Sequence, residues 1–164
     1  MKPILLTVII ASSLVAFLVI KTLFVPKLSN IASNVLPEKK EKFPIKVGDK
    51  ELLVTVTQTK EEKARGLMGV SSLENNSGML FILEPNSQPP FWMKNMLISI
   101  DIIWINDGQI TQIHENLPPL KEGETPRFYI ANDPVDYALE VPSGWAKENN
   151  IEAGTSVDLS SISF

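Results

Sequence analysis

The chain has 164 residues, no cysteine, one histidine and a formal net charge of −4. Cys/His metal centres, thiol nucleophiles and redox cysteine pairs are thereby excluded. The charge is uneven: residues 1–42 carry six lysines against Glu38 and Glu41, while residues 43–164 carry nine Lys/Arg against seventeen Asp/Glu, near −8. Nucleic-acid binding needs a basic footprint, so no nucleic-acid partner is expected.

From Ile4 to Ile20 the polar side chains are Thr7, Ser12 and Ser13, with Lys2 before the run and Lys21 after it. Extended through Leu23, Phe24 and Val25, the run reaches the roughly 20 residues that cross a bilayer as a helix. A core helix of a soluble domain would show a polar face, and this segment has none. Residues 1–25 are expected to form a transmembrane anchor or signal-like segment. Ile31-Ala32-Ser33 is a poor cleavage site and lies beyond the apolar run, so the anchor is expected to stay uncleaved. The lack of cysteine excludes a lipoprotein anchor. Lys21, Lys27, Lys39, Lys40 and Lys42 favour a cytoplasmic domain by the positive-inside count. A short N-terminal tail before a long chain favours export instead, and the extracytoplasmic side is the expected location. Residues 26–42, rich in Lys, Glu, Ser, Asn and Pro without an apolar period, read as a flexible linker.

The globular domain is expected over residues 43–164. Phe43–Val47 and Glu51–Thr57, joined through Gly48-Asp49, read as a β-hairpin. Thr59 three residues before Glu62 forms a capping-box pattern, which predicts a short helix over Lys60–Arg65 stopped by Gly66. Gly78–Leu83 is a continuous apolar run and reads as a strand buried on both faces. Glu84–Pro90 reads as irregular loop. Phe91–Met93 and Leu97–Ile105 read as strands, and Asn106-Asp107-Gly108 turns the chain into Gln109–His114. A proline-bearing loop over 116–126 precedes strands at Phe128–Ile130 and Tyr137–Val141. Gly144–Asn149 reads as a helical turn and Thr155–Leu159 as a last strand. The expected fold is mostly β (α+β): a small barrel-like or strongly bent antiparallel sheet with two short helices, preceded by the N-terminal transmembrane helix.

Five short motifs stand out: Arg65-Gly66-Leu67-Met68, Gly78-Met79-Leu80-Phe81, Phe91-Trp92-Met93-Lys94-Asn95, Asp101-Ile102-Ile103, and Ala138-Leu139-Glu140-Val141 followed by Gly144. In their order and spacing the chain resembles the domain-of-unknown-function family 192 over about residues 45–160. Thr155, after Gly154, departs from the pattern, since an acidic residue commonly follows the glycine there in the family. The resemblance implies a compact β-rich domain, commonly on exported or membrane-anchored prokaryotic proteins, and no established activity.

The polar members of these motifs are the candidate ligand-binding residues: Arg65, Trp92, Lys94, Asn95, Asp101 and Glu140. Lys94 lies between apolar residues, and a buried lysine needs a carboxylate or it discharges. Asp101 and Glu140 are the natural partners. A structural ion pair of this kind is favoured over a ligand pocket, because buried pairs are common without any catalytic role. Arg65 at a helix end suits the dipole or an anion, and Trp92 suits core or rim packing. Met68, Met79, Met93 and Met96, with His114, raise a Cu(I) site as a further alternative, against which methionine fills irregular cores readily. No cofactor is expected. The leading expectation is a membrane-anchored envelope module that binds a small polar ligand or a partner protein. The alternative is a hydrolase or lyase using Asp101 or Glu140 as acid/base with Lys94 as stabiliser.

Overall fold

The computed structural model describes residues 41–162. The expected anchor and the linker through residue 40 lie outside the described residues. Among those described, no helix is long and apolar enough to cross a membrane.

The hairpin forms as the sequence indicates: β1 (Lys42–Val47) pairs antiparallel with β2 (Lys50–Thr57), Val47 opposite Lys50. Alternate residues Ile45, Val47, Leu52 and Val54 are buried, as a half-buried hairpin requires. The helix α1 (Lys60–Arg65) opens on the full capping box, with the Glu62 N–H donating to Thr59 Oγ1 at 3.1 Å and the Thr59 N–H to the Glu62 carboxylate at 3.0 Å. Gly66 stops it at φ +50, a conformation in which a side chain is strained.

β3 (Ser77–Ser87) then runs parallel to β2, where an antiparallel sheet is expected from sequence. The reason is the long connection: α1 and the coil after it carry the chain back over the sheet, which a parallel pairing needs. β3 also absorbs half of the expected 84–90 loop. Its register against β8 (Val135–Pro142) shifts between Ile82 and Ser87, with Asn86 at φ +55. Such a bulge tolerates Pro85, which has no N–H to give to the ladder.

β5 (Ile100–Asn106) pairs with both β8 and β6 (Gln109–Leu117), giving the order β6-β5-β8-β3-β2-β1-β9, where β9 is Val157–Asp158. This sheet curls strongly into a half-barrel. Its two edges are bridged where the Ile110 N–H donates to the Thr155 carbonyl at 2.9 Å and the Val157 N–H to the Gly108 carbonyl at 2.8 Å. β5 starts later than its apolar pattern suggests, since residues 94–95 turn, with Asn95 at φ +58, and Leu97 is 62 % exposed. A separate ribbon pairs β4 (Phe91–Trp92) with β7 (Phe128–Tyr129). The second short helix is α2 (Trp145–Glu148).

The sheet has apolar packing on both faces. Inside the curl Leu80, Ile103, Ile105, Leu139 and Val141 meet the hairpin residues and Trp145 of α2. On the other face Met79, Phe81, Ile102, Trp104 and Ala138 pack under Leu67, Met93 and Met96. Strands β3, β5 and β8 therefore alternate between two cores, which is why their sequences are apolar at most positions of both parities. Gly78 permits the β3–β8 contact, because an added Cβ would stand 2.6 Å from the Glu140 carbonyl oxygen. Phe81 is 2 % exposed and meets Phe91 edge-to-face at 5.0 Å. Its replacement by alanine is expected to cost about 3–5 kcal/mol in urea unfolding. A loss under about 1 kcal/mol would show that this strand is not central.

Candidate functional site

Strand register decides which carboxyl can join which neighbours. On the β5–β8 ladder Asp101 stands opposite Val141 and Ile102 opposite Glu140. Side chains directly across a ladder share a face. Asp101 and Glu140 therefore emerge on opposite faces of the sheet and cannot form one site.

Asp101 faces the inner core and is fully buried. Its carboxylate accepts three backbone N–H groups: from Asn116 at 2.8 Å and Gly144 at 3.0 Å on Oδ1, and from Ala146 at 3.1 Å on Oδ2. One side chain thus ties the end of β6, the turn at Gly144 (φ +84) and the start of α2 together. Hydrogen bonds to an ionised acceptor are about twice as strong as neutral ones. Asp101 is a clamp, with both of its oxygens engaged by the backbone.

Glu140 faces the outer core, flanked on its two ladders by Met79 and Ile102. It is 5 % exposed, and its Oε2 has no hydrogen-bond partner. Burial among apolar side chains penalises the charged form, and the carboxyl is pushed up to about 8. At neutral pH this group is a carboxylic acid, able to donate as well as accept.

A pocket of about 200 Å³ opens above Glu140, between the end of α1 and β4. Its walls include Phe81, Phe91, Trp92, Met68 and Met96, and Lys63 and Arg65 bring positive charge to its mouth. Gly66 forms part of the roof: a Cβ there would stand 3.3 Å from Phe81 Cζ and 3.7 Å from Glu140 Oε2. The Arg65-Gly66-Leu67-Met68 motif is thereby explained in part by space. Its glycine lets the backbone pass close over the acid, while Leu67 anchors the segment in the core. The Gly69 N–H donates to the Asn95 carbonyl at 3.0 Å, which joins this segment to the turn after β4.

Of the six candidate residues, Arg65, Trp92 and Glu140 meet at this pocket. Asn95 serves as a left-handed turn residue, a conformation asparagine tolerates well. The expected buried ion pair of Lys94 is not formed. Lys94 is exposed, its ammonium lies 5.4 Å from the Trp92 ring centroid, and among the described residues it makes no salt bridge. Residues 91–94 alternate between core and solvent, so Lys94 shares the outward face with Trp92, where Phe128 also stacks at 5.9 Å. An exposed cation–π contact contributes about 0.5–1 kcal/mol. Replacing Lys94 by methionine should therefore move the urea midpoint very little. A loss of about 3–5 kcal/mol would reinstate a buried pair.

The methionines pack with the outer core, Met79, Met93 and Met96 buried and Met68 half-buried against them. His114 stands in the neighbouring aromatic wall, where its Nδ1 accepts the Trp104 indole N–H at 2.8 Å. Burial lowers its pKa, which favours the neutral ring. Phe81, Phe91, Met68, Met96 and Lys63 also line the pocket; of these, sequence reasoning singles out only Met68 and Met96 for binding, and those as copper ligands. A second, larger pocket of about 520 Å³ lies along the 118–127 loop. Its charged lining residues Lys121, Glu124 and Arg127 are exposed, so none of them is a buried charge in need of a partner.

The fold and site define a class: a curled β domain whose outer face carries a buried acid beneath an aromatic-walled pocket. The chain belongs to the domain-of-unknown-function family 192 (DUF192, Uncharacterized ACR), whose family model matches residues 43–159. A protein of unknown function from Novosphingobium aromaticivorans is similar, with 30 % identity, a TM-score of 0.67, and coverage of 74 % of this chain and 89 % of that one. A Sinorhizobium meliloti protein described as a candidate transcription regulator is similar at 25 % identity and a TM-score of 0.68, over 75 % of this chain and 97 % of that one. Among curated proteins none matches the chain.

Proposed function

We propose that this protein is a membrane-tethered module of the cell envelope whose domain binds a small polar ligand in the Glu140 pocket. The observation that carries the reading is the Oε2 atom of Glu140, buried and without a partner at the floor of an open pocket. A buried polar atom left unsatisfied costs about 1–3 kcal/mol, which a ligand with a matching polar group would recover. The pocket volume of about 200 Å³ falls below the roughly 300–1,000 Å³ of sites for drug-sized molecules, so the ligand is small. The uncharged, mostly apolar run Ile4–Ile20 supports the tether, and export of the domain is the accompanying reading.

A carboxyl with a raised pKa in a cleft also suits general acid catalysis, which gives the enzyme alternative its support. The residues lining this pocket include no hydroxyl, thiol, imidazole or second carboxyl to act with Glu140. Binding needs none of them, and it is the preferred reading.

The test is a screen of small polar compounds against the full chain, read by thermal unfolding and by tryptophan emission. A true ligand should raise the unfolding temperature and perturb emission, and lose both effects in Glu140→Ala. Hits that bind Glu140→Ala equally well would place the site elsewhere and sink the proposal. The tether has a separate test: the full chain should remain with membranes after alkaline carbonate washing. Recovery of the uncleaved chain in the soluble fraction would remove it.

A further inference from the structure

The geometry points to a linear zwitterion as the ligand of this pocket: an ammonium group set against the Glu140 carboxyl, a short aliphatic chain between the aromatic walls, and an anionic end at Arg65 and Lys63. The inference rests on the pocket reading above and names its chemistry.

Three features with different physical origins agree on it. The floor is an acid whose Oε2 finds no donor in the protein. An incoming ammonium supplies three donors and a full positive charge, more than a hydroxyl or an amide can offer. The walls include the aromatic side chains of Phe81, Phe91 and Trp92, surroundings of the kind in which organic cations are held once desolvated. The mouth has the opposite preference, because Lys63 and Arg65 end α1 there. A simple amine would be repelled at that mouth, whereas a zwitterion with its charges at opposite ends satisfies both. The methylene chain between them matches the apolar middle of the pocket.

Binding then carries a proton balance. In the empty pocket Glu140 holds its proton, since burial pushes the group up to about 8. The charged residues that share the pocket lining with it are Lys63 and Arg65 of α1, while β3, β4 and β5 present apolar side chains. An ammonium seated on the carboxyl replaces the proton, which leaves to the buffer as the carboxylate forms. Near pH 6.5 about one proton should be released per ligand, and affinity should rise up to about tenfold per pH unit until about pH 8.

The experiment is calorimetric titration of the full chain with 5-aminopentanoate, pentylamine, pentanoate and pentanamide, four probes of one chain length with different ends. Each is measured in two buffers of different ionisation enthalpy, which counts the protons released. The expected result is that 5-aminopentanoate binds at least tenfold tighter than the other three, with proton release. Glu140→Gln should abolish both the binding and the release, and replacing Arg65 and Lys63 together by alanine should bring 5-aminopentanoate down to the affinity of pentylamine. Tighter binding of pentanamide or pentanoate, lost in Glu140→Gln, would overturn the zwitterion while leaving the pocket in place. Binding of the zwitterion without proton release, or unchanged by Glu140→Gln, would also overturn it. No heat from any probe would overturn this ligand class, and no Glu140-dependent ligand in the wider screen would remove the pocket reading as well.

Discussion

Replacing Glu140 by glutamine should make the protein more stable at pH 8 than the wild type, and should flatten a decline that the wild type shows from acid to neutral pH. The decline follows from burial, which pushes the Glu140 carboxyl from an ordinary 4.5 up to about 8. Below pH 4.5 the folded and unfolded chains both hold this proton, and the shift has no effect on stability. Between 4.5 and 8 the unfolded chain gives the proton up while the folded chain keeps it, so rising pH favours unfolding. Above about 8 the loss is complete. At about 1.4 kcal/mol per pH unit the shift corresponds to a total of about 5 kcal/mol. Glutamine has the same shape and no proton to lose, so that part of the slope should vanish. Urea midpoints at pH 5 and pH 8 measure it, and parallel profiles for the two proteins would show that the carboxyl is hydrated in the folded state.

Asp101→Ala is expected to cost about 2–5 kcal/mol at neutral pH, since a hydrogen bond to a charged group contributes about 1.5–3 kcal/mol and three are lost together. Alanine leaves the N–H groups of Asn116, Gly144 and Ala146 without their acceptor inside the fold. The Ala146 N–H is buried and, without an acceptor, carries a penalty of about 1–3 kcal/mol, while those of Asn116 and Gly144 are only partly buried. Asp101→Asn should cost less, because its remaining oxygen can still accept from Asn116 and Gly144 while its amide faces the Ala146 N–H. Guanidinium unfolding of the wild type and both variants gives the ranking. A loss below about 1 kcal/mol for alanine would show that the clamp is not formed.

Much of the scaffold was legible because local rules govern it. The capping box at Thr59 and Glu62 and the glycine after Arg65 fixed α1, and the β1–β2 hairpin followed from two β-rich runs around a glycine turn. Pairing between distant strands was another matter. The parallel return of β3 depends on a crossover whose path no local pattern records, and Pro85 hid the last residues of that strand behind a bulge. The same blindness affected the site. Asp101 and Glu140 look equivalent in sequence, each a lone acid among apolar residues. A ladder register of one residue sends them to opposite faces and to different work. Phe81 and Phe91 meet only because the β4 ribbon folds over β3. For Lys94 a signal did exist: strict alternation through Phe91-Trp92-Met93-Lys94 places the lysine beside Trp92 on the outer face. The apolar neighbours on either side suggested burial, and period two was the better guide.

The carboxyl of Glu140 itself offers the most direct test. A carbon-13 titration of glutamate side-chain carboxyls, with Glu140→Gln to assign the resonance, follows its protonation in the folded protein. A midpoint near 8 is expected, as burial dictates, and occupation of the pocket by a cationic ligand should shift it downward. A midpoint near the ordinary value of 4.5 would mean that Glu140 is hydrated and charged, and would contradict a buried acid awaiting a ligand.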